Sequence, residues 1–400
     1  MLFDQVLPAQ DDPILSLMER YKTDKNPKKV NLGIGYYYDQ HGIVPELMCI
    51  EEAKYRVKLM HRGVQLYLPM EGLKLFNEAS KKLITGIDDL AVLNNIATIQ
   101  SLGGSGALKI GADFLKTYYP ESSVFVSNPT WENHISIFKG AGFDVQLYPY
   151  WDSENSKIDF SNMKNYLNQL KQNSIILIQP CCHNPTGMDL SETQQDEIIQ
   201  IIKKRKIIPF LDMAYHGFAQ DIISDRIFVQ KLLQQKISFL VANSYSKIFS
   251  LYGERIGTLS VVCQKSDIAT QVFGQLKSIV RRSYSTPPAQ GALLIAEVLN
   301  SQYLCTIWLE ELKNMQKRMV DMREKLAQGL SQSNLRQDFS YITAQKGMFS
   351  YLKITPSEVK KLREVYGVYI LESGRICIAG LNKQNLDYVI QSLTDVLSKP

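Results

Sequence analysis

The sequence of 400 residues predicts an α/β protein: a large domain with a mostly parallel mixed sheet sandwiched by helices, plus a smaller α+β domain. Three observations lead to this prediction. Short runs of Ile, Val and Leu without polar alternation occur between residues 100 and 263, which is typical of strands covered on both faces. Helical stretches such as 193–206 separate these runs. Each run ends in a polar turn.

The apolar runs mark five strands, and the polar segments behind them mark a site. The runs are, in chain order, 123–126, 174–178, 207–211, 239–242 and 258–263. The polar segments behind the first four contain Asn128, Asn184, Asp212 and Asn243. In open α/β sheets, ligands bind beyond the carboxyl ends of the strands. We therefore expect these segments to converge on one site.

The pattern changes after residues 287–288, a pair of prolines. A long helical stretch from 289 to about 330 is predicted to bridge to the smaller domain. That domain is expected to hold strands near 349–352, 368–371 and 376–379 and a C-terminal amphipathic helix. The predicted division is a large domain at 46–310 and a small domain built from 1–45 and 311–400.

Composition excludes several classes of protein. The net charge is +5 and 21% of the residues are charged, and the sequence has no basic arm that would bind nucleic acid. No apolar run reaches membrane-spanning length and no signal sequence is apparent. Six cysteines without C-x-x-C spacing and histidines without H-E-x-x-H spacing predict reduced thiols and no metal. We expect a cytoplasmic protein with neither nucleic acid nor membrane as a partner.

Lys247 lies just past the end of a predicted buried strand, within the segment 244–257. Desolvation and the nearby charge of Arg255 should both lower the pKa of its amine, which suits a lysine that forms an imine. The alternative is a lysine in a surface loop, the usual place for that residue type.

Other motifs are ambiguous when each is taken alone. The turn 103–106 opens a helix and can cradle a phosphate, although it is neither a Walker A loop nor a dinucleotide fingerprint. Asp212, at a strand end, could be a metal ligand, a ribose partner, a counter-ion or a helix cap. Asn184 also fits an ordinary turn, and Trp131 also fits a core aromatic.

The order of these motifs along the chain is specific. A phosphate loop, an aromatic residue, an asparagine, an aspartate with a tyrosine, a lysine and an arginine occur at successive strand ends. In this the chain resembles the class I aminotransferases of pyridoxal-phosphate fold type I, the aspartate and aromatic aminotransferase family. The resemblance extends from Asp12 to the final helix, and segments 101–109, 181–187 and 246–255 carry it. It is strongest toward the bacterial members that act on aromatic amino acids.

The resemblance implies a pyridoxal 5′-phosphate cofactor and a role for each motif residue. Lys247 would bind the cofactor covalently and then shuttle a proton, while Asp212, oriented by His134, would keep the pyridine nitrogen protonated. The remaining implied cofactor contacts are Asn184 and Tyr215 at the phenolic oxygen, Trp131 on the ring, Gly104, Ser105, Ser244 and Arg255 at the phosphate, and Tyr67 from a partner subunit.

The resemblance also implies how substrates bind in a homodimer with active sites at the interface. Arg375 would pair bidentately with the substrate α-carboxylate, near Gly35, Trp131 and Asn184. Spacing alone would equally allow Arg375 to be a surface residue. Arg281 would cross the dimer to bind the distal acid of a dicarboxylate. Counting back from Tyr284 favours Arg281 over its neighbour Arg282.

The predicted pocket wall distinguishes two specificities. Aspartate-restricted relatives carry Lys at the position of Tyr38, Thr at Val44, Asn at Leu66 and Thr at Ser105, so the residues of this chain are aromatic, apolar or smaller there. Burying a Phe-sized side chain there is worth roughly 1.5–3 kcal/mol. We therefore expect transfer between tyrosine or phenylalanine and 2-oxoglutarate by a ping-pong mechanism, with activity on aspartate and glutamate.

The alternative within the family is a narrow aspartate aminotransferase. Tyr36 and Thr286 depart from the aromatic pattern, which leaves the relative rates on tyrosine and phenylalanine open. Two other classes use the same cofactor. A transcription regulator would need an added DNA-binding domain, and a lyase or decarboxylase does not need the paired arginines.

Overall fold

The computed structural model of the protein describes residues 2–8, 12–60, 63–333, 335 and 337–398. Within these ranges the strands are β1 (Val30–Asn31), β2 (Ile96–Leu102), β3 (Val124–Asn128), β4 (Val145–Pro149), β5 (Trp151–Asp152), β6 (Lys157–Ile158), β7 (Ile175–Ile178), β8 (Ile208–Met213), β9 (Phe239–Ser244), β10 (Ile256–Val262), β11 (Phe349–Tyr351), β12 (Val368–Tyr369) and β13 (Arg375–Cys377).

The α-helices of the same ranges are α1 (Pro13–Thr23), α2 (Met48–Met60), α3 (Lys74–Thr85), α4 (Leu90–Leu93), α5 (Gly103–Tyr118), α6 (Glu132–Gly140), α7 (Phe160–Leu167), α8 (Glu192–Arg205), α9 (Ile227–Gln234), α10 (Ser266–Ser283), α11 (Gln290–Asn300), α12 (Gln302–Ser331), α13 (Pro356–Tyr366) and α14 (Leu386–Leu397). Short 3₁₀ turns lie at Ser224–Arg226, Tyr252–Glu254, Ser340–Ala344 and Ile378–Gly380.

Seven strands form one sheet in the order β2-β10-β9-β8-β7-β3-β4. β10 runs antiparallel to both of its neighbours, and the other four strand contacts are parallel. The predicted mostly parallel mixed sheet is confirmed. The five apolar runs of the sequence correspond to β3, β7, β8, β9 and β10, with ends that differ by at most two residues.

Helices cover both faces of this sheet. In β7, Ile175 and Leu177 pack into a core with α5, α6 and α10, whereas Ile176 and Ile178 pack into a core with α7, α8 and α9. Successive strand side chains point to opposite faces. Both faces are therefore apolar, which explains why the strand lacks polar alternation in the sequence.

Helix α8 shows how local sequence fixes an element boundary. The hydroxyl of Ser191 accepts from the backbone N–H of Gln194 at 3.2 Å, and the Gln194 side chain accepts from the N–H of Ser191 at 2.9 Å. This capping box starts the helix. Lys206, in the left-handed region at φ 54°, ends it. The predicted helix at 193–206 is confirmed to within one residue.

The long stretch predicted to be helical from 289 to about 330 is helical, but it is divided into two helices. The structure has two helices, α11 and α12, which meet at Ser301 and are bent by 100°. Ser301 has an extended backbone, and its hydroxyl accepts from the N–H of Leu304 at 3.4 Å as the cap of α12. Apolar residues recur at helical spacing in both segments, so the sequence pattern does not reveal that the helix axis changes direction at Ser301.

No single helix in the described ranges is long and apolar enough to cross a membrane. Only α11 and α12 taken as a bent pair meet that criterion, by length and composition alone.

The N-terminal segment packs with the C-terminal part of the chain. β1 pairs in parallel with β12, and β11 pairs antiparallel with β13. The C-terminal strands are shorter than predicted, and β13 ends early because the chain passes directly into the 3₁₀ turn at Ile378–Gly380. Helix α14 forms where it was expected. The proposed domain boundary at 310/311 falls inside the continuous helix α12, and the division remains a prediction.

Trp308 of α12 supports the segment that contains Lys247. The fully buried indole stacks on Phe249 at 4.5 Å and donates from Nε1 to the carbonyl of Ile248 at 2.8 Å. The substitution Trp308→Phe keeps an aromatic ring but removes this donor. We expect a loss of about 1–3 kcal/mol in the free energy of unfolding. Urea unfolding measures the loss, with Thr306→Ala on the exposed face of α12 as the control. Equal midpoints for the two variants would contradict this role.

Candidate active site

A cavity of about 240 Å³ lies beyond the carboxyl ends of β8 and β9. It collects eleven of the thirteen residues that were predicted to contact the cofactor or the substrate. The lining residues are Ile14, Gly35, Gly104, Ser105, Trp131, Asn184, Asp212, Ala214, Tyr215, Ser244, Ser246, Lys247, Arg255, Phe349 and Arg375. The polar turns of the sequence therefore converge on one cavity.

One end of the cavity is a cradle for an anion. It is built from the N-terminus of α5, whose free N–H groups and dipole favour negative charge. Gly103, at φ +67°, leaves room for Arg255, because a Cβ there would lie 2.7 Å from Nη2. At Gly104 a Cβ would lie 3.1 Å from the Cβ of Ser244. Arg255 also donates to the hydroxyl of Ser246 at 3.4 Å, so a guanidinium, hydroxyls and a helix end face the same space.

Asp212 is held from behind by a buried hydrogen-bond chain. Its Oδ2 accepts from Nε2 of His134 at 2.8 Å, and Nδ1 of His134 lies 2.8 Å from the hydroxyl of Thr130. With Nε2 donating, Nδ1 accepts from Thr130. Trp131 meets the His134 ring edge-on at 5.2 Å. The carboxylate is thereby fixed with its other oxygen, Oδ1, left for a further partner.

Lys247 lies three residues beyond β9, as the sequence predicted. Burial lowers the pKa of its amine to about 8, the carboxylate of Asp212 opposes this shift, and Arg255 and Arg375 add to it. The Nζ lies 5.2 Å from the centre of the Tyr215 ring. An amine with this pKa is partly neutral near pH 8, and the neutral form is the nucleophile.

Arg375 brings a buried positive charge to the other end of the cavity. The side chain is 3% exposed. It donates to Oδ1 of Asn184 at 3.1 Å and to the carbonyl of Gly33 at 2.7 Å, and its Nε has no partner. Its guanidinium carbon lies 4.1 Å from the centre of the Phe349 ring. No carboxylate of the described ranges lies within ion-pair distance of it. A buried cation that has an unpartnered Nε and no carboxylate beside it suits an anionic ligand.

Tyr67 and Arg281, like the predicted wall positions Tyr38, Val44 and Leu66, do not line this cavity. Tyr67 is 94% exposed on its own chain. Arg281, in the last turn of α10, is exposed and donates to the hydroxyl of Ser285. Neither residue lines the cavity formed by its own chain.

Four lining residues were missed from the sequence: Ile14, Ala214, Ser246 and Phe349. Ala214 and Ser246 are immediate neighbours of predicted residues and could have been found by proximity. Ile14 and Phe349 gave no signal, because an apolar residue in a helix or strand is expected in the core. Phe349 reaches the site only through the packing of β11.

In the buried turn at 181–187, the residues around Asn184 have structural roles. Burial lowers the pKa of His183 to about 3, so its ring is neutral, and it stacks on Tyr150 at 4.0 Å. The sulfur atoms of Cys181 and Cys182 lie within 4.8 Å of a carboxylate oxygen of Asp225. That carboxylate already accepts from three backbone N–H groups, at 2.8–3.0 Å. Its lone pairs are thus engaged in holding the loop at 217–220.

Comparison with known proteins gives the family. A family model for aminotransferase class I and II matches residues 27–393. The chain belongs to the class I and II aminotransferases. As such, it is a pyridoxal-phosphate-dependent transaminase whose substrates are amino acids and 2-oxo acids.

The similarity to individual aminotransferases extends over the whole chain. The chain is 47% identical to the aromatic-amino-acid aminotransferase of Escherichia coli, over 99% of this chain and 100% of the relative. It is 40% identical to an aspartate aminotransferase of Pseudomonas aeruginosa over the same shares. A solved structure, the aromatic-amino-acid aminotransferase from Burkholderia pseudomallei covalently bound to pyridoxal phosphate, matches with a TM-score of 0.96 and 42% identity, covering all of both chains.

The cavity of this aminotransferase fits pyridoxal phosphate. The cradle at Gly104 and Arg255 has the donors that a phosphate ester requires, and no Cβ occupies the approach at Gly103. A carboxylate and an amine with a lowered pKa, Asp212 and Lys247, line the same space. The carboxylate suits the pyridine nitrogen of the cofactor, and the amine suits its aldehyde.

The lowered pKa of Lys247 predicts its reactivity in the cofactor-free protein. Acetylation of the amine should rise with pH around a midpoint near 8, because only the neutral amine reacts. The substitution Asp212→Asn should move this midpoint further down, since the carboxylate raises the pKa of the amine. Mass spectrometry of the peptide that contains Lys247, after short exposure to acetic anhydride, measures it. A midpoint at the ~10.4 of a model lysine would refute the buried environment.

Proposed function

We propose that the protein transfers the amino group between aromatic amino acids, tyrosine and phenylalanine, and 2-oxoglutarate by a ping-pong mechanism, and that it also acts on aspartate and glutamate. The observation that carries the proposal is the unneutralised, buried guanidinium of Arg375, in one cavity with Lys247 and Asp212. This arrangement offers a carboxylate site beside an amine that can move a proton.

Several lining groups have a proposed part in holding the cofactor. Gly104, Ser105, Ser244 and Arg255 would hold the phosphate. Asn184 and Tyr215 would donate to the phenolic oxygen, and Trp131 would cover one face of the ring. When bound, pyridoxal phosphate supplies an electron sink for the carbon that loses its proton. The catalytic residues would be Lys247, Asp212 and Tyr215.

Lys247 would move the proton in the reaction. Burial keeps a fraction of its amine neutral near pH 8, so that Nζ can accept the proton from the substrate Cα and return it. Asp212, fixed by His134, would hold a proton at the ring nitrogen by its negative charge. Burial raises the pKa of the Tyr215 phenol, which therefore stays a donor throughout.

Substrate orientation would come from the Arg375 end of the cavity. Two parallel N–H groups of Arg375 fit a carboxylate in a plane, which is the reason for arginine at this place. Asn184 accepts from Arg375, so its amide NH₂ group remains to donate into the cavity. Gly35 would form the wall beside the substrate, where a Cβ would lie 3.0 Å from the Phe349 ring.

The aromatic specificity is supported by the relatives and by the predicted wall. The relative at 47% identity is named for aromatic amino acids, and the one at 40% for aspartate. The wall positions are Tyr38, Val44, Leu66 and Ser105, of which Ser105 lines this chain's cavity. Tyr36 meets Tyr252 edge-on at 4.8 Å, which turns its ring toward that residue.

A homodimer would complete the site. Tyr67 would reach the phosphate, and Arg281 the distal acid of a dicarboxylate, in the partner's cavity. The exposure of both residues supports this, as do exposed apolar residues on α2 and in the segment just before Tyr67, which a monomer would leave in water. These residues are Met48, Tyr55, Leu59, Met60, Val64 and Leu66. We further propose that the protein is cytoplasmic, in keeping with its six free cysteines. Division into a large domain at 46–310 and a small domain from 1–45 and 311–400 is part of the same proposal.

A two-substrate rate panel on the purified holoenzyme tests the specificity. We expect kcat/KM for phenylalanine to lie within about tenfold of that for aspartate, because burying the ring offsets the lost charge pair by roughly 1.5–3 kcal/mol. Lys247→Ala provides the background rate and should lose nearly all multiple-turnover activity. A preference for aspartate by several orders of magnitude would support the narrow aspartate aminotransferase instead.

The neighbouring arginines of α10 form a matched pair of variants. Arg281→Ala should lower kcat/KM for aspartate by roughly 100-fold, the value of a charge-assisted hydrogen-bond pair, and should change phenylalanine little. Arg282→Ala should change neither substrate. Steady-state kinetics with both amino donors measures the effect. An equal loss on both donors in Arg281→Ala, or the selective loss in Arg282→Ala, would show the assignment to be wrong.

A further inference from the structure

We propose that Arg323 is a positioning residue for Arg375, which it holds in place through Phe349 and β11. The inference rests on the proposed function, in which Arg375 binds the substrate carboxylate. Arg323 itself touches neither the cavity nor a substrate. It lies on α12, behind the strand that forms the carboxylate end of the site.

Arg323 is a buried cation that binds only neutral acceptors. The side chain is 3% exposed. Its Nε donates to the hydroxyl of Ser350 at 3.1 Å, and its Nη2 donates to the carbonyls of Gly347 and Phe349, the latter at 3.4 Å. In the part of the chain that the structure describes, no carboxylate lies within ion-pair distance of this guanidinium. The segment 347–350 therefore supplies the hydrogen-bond acceptors of this buried charge, while the carboxylate of Asp189 acts on it only from beyond ion-pair distance.

This state constrains the segment strongly. Burial lowers the pKa of Arg323 to about 10. A buried guanidinium without acceptors is costly, so movement of the 347–350 segment away from Arg323 is opposed by the lost hydrogen bonds. If Arg323 were paired with a flexible carboxylate side chain instead, the 347–350 segment could move without breaking its hydrogen bonds. Three acceptors in one backbone segment fix its position relative to α12.

Two contacts pass this constraint to Arg375. β11 pairs with β13, and Tyr351 lies opposite Arg375 in the ladder. The Phe349 ring lies under the Arg375 guanidinium at 4.1 Å and meets the Tyr215 ring edge-on at 5.7 Å. A shift of Phe349 would therefore tilt the guanidinium that the proposed function assigns to the substrate.

The same segment also abuts the turn that contains Asn184. The N–H of Lys346 donates to the carbonyl of Gly187 at 2.6 Å. A Cβ at Gly187, which has φ +68°, would lie 2.7 Å from the carbonyl oxygen of Phe349. Asn184 is in turn the side-chain acceptor for Arg375. Arg323 thus stands behind two of the protein contacts that orient Arg375, the Phe349 ring below it and the Asn184 amide beside it, while the Gly33 carbonyl holds Arg375 from another segment.

A double-mutant cycle on the holoenzyme tests the inference. The probe is 3-phenylpropionate, which has the carboxylate and the ring of a substrate but no amino group to react. Its dissociation constant is measured by calorimetry for wild type, Arg323→Lys, Arg375→Lys and the double variant. Lys keeps the charge of Arg323 but loses the fork that binds several acceptors. Arg323→Lys should weaken binding roughly tenfold in the wild-type background and less than twofold beside Arg375→Lys.

Controls separate positioning from a general loss of structure. Lys325→Met, on the exposed face of α12, should bind the probe like wild type, and pyridoxal phosphate affinity should be unchanged in Arg323→Lys. If Arg323→Lys fails to fold, Ser350→Ala replaces it in the cycle and should show the same dependence on Arg375 with a smaller change. Unchanged probe affinity, or an equal loss in both Arg375 backgrounds, would overturn the inference.

The cycle also distinguishes this inference from the proposed function. If Arg375→Lys alone leaves probe affinity unchanged, the carboxylate site is wrongly assigned and the proposed function fails. If Arg375→Lys weakens binding and Arg323→Lys does not, the proposed function stands and only the role of Arg323 is refuted.

Discussion

The concentration of positive charge in a small cavity is the constraint on which the rest of the site depends. Among the described residues that line it, Lys247, Arg255 and Arg375 are cationic and Asp212 alone is acidic. Burying like charges together is unfavourable unless anions offset them. The pKa of Lys247 is lowered mainly by burial itself, and the charges of Arg255 and Arg375 add to this shift. The same imbalance favours ligands with two separated negative groups, a phosphate at one end and a carboxylate at the other.

The sheet explains how this charge is brought together and why the sequence could predict it. Asp212 pairs with Ala242 across β8 and β9, and Lys247 follows β9 by three residues, so neighbouring parallel strands bring acid and amine to one edge. Strand runs that are apolar on both faces are visible in a sequence, and so is the polar residue behind each. Their order then identified the family, and the family implied the arginines.

Packing between distant segments could not be predicted in this way. Phe349 is an apolar residue in a strand by pattern, and Arg323 is one basic residue among many on a helix. Their roles depend on contacts between α12, β11 and β13, which no local period records. The bend at Ser301 could not be predicted for a related reason, because the spacing of apolar residues along a helix carries no information on the direction of the helix axis. The outward position of Tyr67 also carries no local signal, because a single chain provides nothing for it to contact.

Helix α12 also limits how the gene can change in length. Trp308 reaches Ile248 from one turn of the helix, and Arg323 reaches the 347–350 segment from another, fifteen residues further along. One inserted or deleted residue between them would rotate everything beyond it by about 100°. Both attachments could then not be kept. Point substitutions on the exposed face are tolerable, but the number of codons between these two positions is fixed by geometry.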